Sequence, residues 1–202
     1  MGPGNIPFTG FTQDEPPMHP QAAEQYKAAR TGVANRWDKG AASADPTRSC
    51  YPYGPTRAYT VPRPWEIRQL SNITLILFER DHGVRRVFTD GRGHPDGYLV
   101  TWMGHSVGRY DGDTLVVDTV AMHANSWLDN LGHPHSDALH LVERFRLLDP
   151  DTIEILLTFD DPKTYTEPWT GRKIFPRAPP ELTILDDSLC EEWLEIRDRR
   201  LY

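Results

Sequence analysis

From residue 66 onward this chain is built of short apolar segments of period two, divided by aspartate-rich turns. The segments "ITLILFE" (73–79), "VRRVFTD" (84–90), "TLVVDTV" (114–120), "ALHLVERFRLL" (138–148) and "TIEILLTFDD" (152–161) are rich in β-branched and aromatic residues. Asp-His-Gly, Asp-Gly, Asp-Gly-Asp and Asp-Pro-Asp lie between them, all of it turn chemistry. "ELTILDD" (181–187) and "LCEEWLEIRD" (189–198) extend the pattern. Few helix-length segments separate the strands, so right-handed parallel crossovers have little to be made from. The pattern predicts a mainly β fold, an antiparallel up-and-down barrel of about eight strands resembling a lipocalin or calycin. An open sandwich is the alternative.

Residues 1–65 read differently, as an extended, proline-rich N-terminal arm. Its one helix is predicted over 20–31, with Pro20 in the first turn and Gly32 ending it. The segment "DPTRSCYPYGPTRAYTVPRPW" (45–65) holds five prolines and is expected to be neither helix nor central strand, but an arm laid over a core. Residues 66–202 would then be the barrel domain.

Charge and hydropathy exclude some functions. The net charge is −7 and no block of Lys or Arg exceeds two residues, which argues against nucleic acid as a partner. No apolar run approaches the ~18 residues of a membrane span. No secretory leader is visible, and Met1-Gly2-Pro3-Gly4 reads as the start of a trimmed chain, so the compartment is not decided there. Cys50 and Cys190 are either two thiols or one bridge, and sequence cannot pair them. A bridge would pin the arm to the C-terminal segment, worth up to roughly 5 kcal/mol in the chain-entropy view.

Gly104-His105-Ser106-Val107-Gly108 spells the G-x-S-x-G of a nucleophile elbow. An elbow needs a helix directly after the serine, and here a strand, an Asp-Gly turn and another strand follow. The reading as an α/β-hydrolase fails on that context.

Histidines carry more information. Six of the eight lie between 94 and 140, mostly in loops or at strand ends: His94, His105, His123, His133, His135 and His140. Alternation in 138–148 puts Glu143 on the apolar face of Leu139, Leu141, Phe145 and Leu147. Similarly, the face Ile73, Leu75, Leu77 runs into Glu79, and Asp118 lies between Val116 and Val120. A carboxylate among apolar side chains is either locked to an arginine (Arg85, Arg86 and Arg109 are available) or poised for chemistry.

Three functions fit. In the leading one, an enzyme moves protons on a small organic or carbohydrate-like molecule as a lyase, isomerase or hydrolase, without a cofactor. His105 and His135 would be the acid–base pair and Glu143 would orient one of them, with Asp118 and Arg109 assisting. Trp102, Tyr110, Trp127, His133 and Ser106 would line the substrate pocket in the barrel mouth. The second is a lipocalin-like protein that binds a small molecule among aromatics such as Trp102, Trp127 and Trp169 without transforming it. The third is a divalent-metal enzyme, with zinc or a similar ion on His105, His133 and His135, joined by His123 or a carboxylate. Oligomeric state is not encoded in the pattern.

The run "FTDGRGHP…TWMGHSVGRYDGDTLVVDTVAM…WLDNLGHPHSDALHLVERFRLLDPDTIEILLTFDDPKTYTEPWT" resembles a family of uncharacterised secreted or periplasmic bacterial proteins. "EPPMHPQAAEQYKAAR", "DPTRSCYPYGPTRAY" and "CEEW" extend the likeness over most of the chain. The resemblance implies a periplasmic or secreted address and, with it, a Cys50–Cys190 disulfide; it carries no activity. "AMHANSWLD" (121–129) departs from the family's pattern, with His123 where a Gly-Phe-Asn type of sequence is expected. His123 is accordingly a weaker site candidate than His105, His133 or His135.

Overall fold

Eight strands form one sheet in chain order: β1 (Trp65–Gln69), β2 (Ile73–Phe78), β3 (Gly83–Phe88), β4 (His105–Asp111), β5 (Thr114–Val120), β6 (His140–Asp149), β7 (Thr152–Asp160) and β8 (Trp169–Pro176). The computed structural model describes residues 6–34 and 45–184. The sheet is mostly antiparallel and curls into a half-barrel, the mainly β, barrel-like architecture that the alternation predicts. One pair departs from the pattern: β3 and β4 run parallel, joined only through Val87↔Ser106 and Phe88↔Val107. A parallel pair needs a crossover of about a dozen residues or more, and it need not be helical. The connection 89–104 is long enough and contains no helix.

Strand β8, which the sequence reading misses, pairs with β7 from Phe159↔Trp169 to Thr152↔Pro176. Residues 181–184 are turn and coil, so no strand begins at 181 as expected. The rest of that segment, the one expected over 189–198, and Cys190 lie outside the described residues, which leaves the Cys50–Cys190 pairing an expectation.

One face of the sheet is the core. Ile76, Phe78, Val87, Leu115, Val117, Leu141, Phe145, Ile155, Leu157 and Phe159 all point into it and are buried. In β2 the inward residues are therefore Thr74, Ile76 and Phe78, the reverse of the face predicted. Both faces of that strand are apolar, so alternation alone had no means of choosing. Glu79 lies just past the strand and pairs with Arg63 at 3.4 Å.

The arm fills the half-barrel and is not simply draped over it. Helix α1 (Pro20–Ala34) runs through Gly32, whose backbone freedom lowers helix stability without forcing a stop. Its Ala22, Tyr26 and Ala29 form one buried stripe. The proline-rich stretch, read from sequence as non-helical, contains a 3-10 turn (Pro46–Ser49) and helix α2 (Gly54–Ala58). Both begin with proline in the first turn, the one helical position where its missing N–H is not needed. Asp45 caps the first turn and takes both guanidinium nitrogens of Arg57 at 2.8 Å. Residues 54–61 are buried, and Tyr59 stands among Trp65, Phe78, Phe145 and Phe175.

Phe11 of the arm lies against β8 where Gly171 has no side chain; a Cβ there would meet Phe11 Cβ at 2.6 Å. Gly171→Ala should therefore push the arm off the sheet and destabilise the protein by about 1–3 kcal/mol. Urea unfolding would measure this; an unchanged midpoint would show that the arm adds nothing to the fold.

Candidate functional site

The interior carboxylate is locked. Arg85 uses all five of its N–H donors: Nε to Ser106 Oγ (3.2 Å), Nη1 to Tyr59 Oη (3.2 Å) and Glu143 Oε1 (2.9 Å), and Nη2 to Thr119 Oγ1 (2.7 Å) and Glu143 Oε2. Arg85 and Glu143 are both fully buried. Burial alone would lower the Arg85 pKa, but the Glu143 carboxylate beside it raises it above the ordinary value, so the guanidinium stays charged. Burial, followed by the Glu143 charge, holds the Tyr59 phenol far above its usual range. Glu143 is therefore engaged with arginine and orients no histidine. Ser106, sharing a 2.9 Å contact with Thr119, belongs to the same buried network and to no substrate surface.

The opposite face of the sheet holds a cluster of imidazoles. Asp118 on β5 sits opposite Val107 of β4 and Val142 of β6. His105 and His140 each lie two residues before those partners, so period-two alternation brings both to Asp118 diagonally, one from either side. His94 reaches the same place from the 89–104 connection. Its Nε2 is 3.0 Å from Asp118 Oδ1, and its Nδ1 is 2.8 Å from His105 Nδ1. His140 Nε2 meets the same carboxylate oxygen at 2.8 Å.

Donor logic orders these protons. A carboxylate oxygen accepts, so His94 donates from Nε2, and in the neutral tautomer that this fixes Nδ1 carries the lone pair. His105 must then donate from Nδ1, which leaves its Nε2 as the basic end of an Asp118–His94–His105 chain. Burial, then the neighbouring His94 and Arg92, lowers the His105 pKa and favours the neutral ring. Phe88 and Tyr98 flank that ring, at centroid distances of 5.4 and 6.5 Å. Arg109 stands on the same face, two positions beyond Val107.

The other predicted site residues lie elsewhere. His135 is buried in the 121–139 connection, bonded to Ser126 and to the Ser136 carbonyl. His133 bonds Asp129 at 2.6 Å and stacks on Tyr26 of α1. Trp102 stacks on His123 and lies tilted against Tyr51, Trp127 lies under the Arg57 guanidinium, and Trp169 stacks on Phe159. Tyr110 is exposed near the end of β4 and accepts from the Gln69 amide. Hence His105, His135 and Glu143 do not form one catalytic set, nor do His105, His133 and His135 form one ligand set. Among the described residues no group of three His, Cys, Asp or Glu has metal-holding geometry; the outer cluster is joined by hydrogen bonds.

Of the predicted catalytic residues, His105 and Asp118 come together. His94 and His140 complete the cluster, although neither stands out in sequence. His140 needs the β5–β6 register, and the 121–139 connection is too long to imply it. Set against family models, curated proteins and solved structures, the chain finds no match.

Proposed function

We propose that the protein is an enzyme using His105 Nε2 as a general acid–base on a small organic or carbohydrate-like molecule, in a lyase, isomerase or hydrolase reaction. The observation that carries this reading is the continuous hydrogen-bond chain Asp118–His94–His105, which leaves one ring nitrogen as acceptor at the cluster's edge. A carboxylate behind an imidazole fixes its tautomer and stabilises the imidazolium formed when it takes a proton. The reaction belongs to a secreted or periplasmic protein, as the family resemblance implies.

The pH profile of kcat/KM, recorded on a substrate found by screening small hydroxy acids and sugars, tests the proposal. A base must be neutral to act, so activity should fall as pH drops through the His105 pKa. Because that pKa is lowered, the acid limb should lie below pH 6.5. A limb above 6.5 would remove His105 as the base. Turnover of no compound, with tight binding of one, would favour a binding protein.

A further inference from the structure

A second polar pair lies in the 121–139 connection, outside the relay. Ser126 Oγ and His135 Nε2 are 2.8 Å apart, and His135 Nδ1 is 2.9 Å from the Ser136 carbonyl oxygen. Both side chains are buried, yet both line a cavity of about 800 Å³ between this connection and α1.

The protons of this pair are assigned by its surroundings. A carbonyl oxygen only accepts, so His135 carries its hydrogen on Nδ1. Burial lowers the His135 pKa and keeps the ring neutral, which makes Nε2 a lone pair. Ser126 must then donate its hydroxyl proton to Nε2. The His123 carbonyl, at 3.1 Å, is the longer of its two possible acceptors. The opposite arrangement would set the Nδ1 lone pair against the carbonyl. A serine donating to a neutral imidazole that is oriented from behind is the geometry of an activated nucleophile. Here a main-chain carbonyl takes the place of the usual carboxylate.

We infer that Ser126 and His135 form an acyl-transfer site that hydrolyses small, uncharged carboxylic esters entering this cavity. It is independent of the imidazole relay. The cavity wall explains the preference for neutral substrates: Tyr51, Trp127 and Ala29 are joined by the Gln25 and Asn125 amides, and Lys163 is neutralised by Asp137 at 2.7 Å. Ser126 Oγ attacks the ester carbonyl carbon while His135 Nε2 takes the hydroxyl proton. The tetrahedral intermediate collapses, the C–O bond to the alcohol breaks, and that proton passes to the leaving oxygen. Water then attacks the acyl-serine, giving its proton to His135, and the carboxylic acid departs as Ser126 regains its hydrogen. The Asn125 amide is a wall donor available to the oxyanion.

A fluorophosphonate probe on the full chain, followed by peptide mass spectrometry, tests the site. The expected result is an adduct on Ser126, together with hydrolysis of p-nitrophenyl acetate. Ser126→Ala should abolish both, and His135→Gln should slow both by about 10²–10⁴-fold. His94→Gln, which disables only the relay, should leave the adduct unchanged. No adduct on Ser126 in the native chain, or an adduct indifferent to His135→Gln, overturns the inference. Should Ser126→Ala fail to fold, Ser126→Cys retains the side-chain shape. Its thiol, paired with the same imidazole, should alkylate rapidly with iodoacetamide, and an inert thiol would equally overturn the site.

Discussion

Arg85→Met should destabilise the protein by about 3–5 kcal/mol, the usual loss when one partner of a buried ion pair is removed. For a chain of this size that is a fall of roughly 6–20 °C in Tm. The change strands Glu143 in the core, and the Tyr59, Thr119 and Ser106 oxygens lose their shared donor. The double variant Arg85→Met/Glu143→Leu should recover most of the loss. It removes both charges, and Ser106 and Thr119 can still bond each other, as they already do at 2.9 Å. Differential scanning calorimetry of the two single variants and the double closes the cycle. A double variant no more stable than Arg85→Met would show that the pair acts through shape and not through desolvated charge.

The second large effect is on turnover. Asp118→Asn should lower kcat by about 10²–10⁴-fold with little change in KM or Tm. An asparagine can turn its NH₂ toward His94 and reverse the order of donors along the chain, leaving His105 without its basic nitrogen. His105→Gln should cost about as much, and the double variant little more, because the chain acts as one unit. Stopped assays on the three variants would establish this. Multiplicative losses would mean that Asp118 and His105 serve separate steps.

Strand alternation made the core face of β6 legible. Leu141, Glu143 and Phe145 do point inward, and Arg85 was among the three arginines the sequence offered to Glu143. It could not decide β2, where both faces are apolar, although the buried, arginine-paired carboxylate it expected at Glu79 is there. Proline counting misjudged residues 45–65 because proline is harmful in a helix interior yet suits a first turn, where Pro46 and Pro55 fall. Two members of the relay, His105 and Asp118, were visible as a strand-entrance histidine and a carboxylate between valines. Pairing His105 with His135 failed for a geometric reason: nearness in sequence says nothing about which side of a sheet a loop residue occupies. His94 comes from a loop without periodicity, so only the folded connection could bring it to Asp118.

The two-residue parallel pairing of β3 with β4 divides the sheet into unequal antiparallel blocks, β1–β3 and β4–β8, each held by local hairpins or a continuous meander. Such blocks can form early, whereas joining them must wait for the 89–104 crossover to close, the slower, non-local event. Arg85 belongs to the first block, and its partners Ser106, Thr119 and Glu143 belong to the second, so the buried guanidinium rivets the seam. His94 hangs from the strap that closes it, and His105 is the first residue beyond. The relay is thus a late-assembling part of the molecule: Asp118 and His140 can be in place while His94 is not, and the completed chain of imidazoles reports that the two blocks have docked.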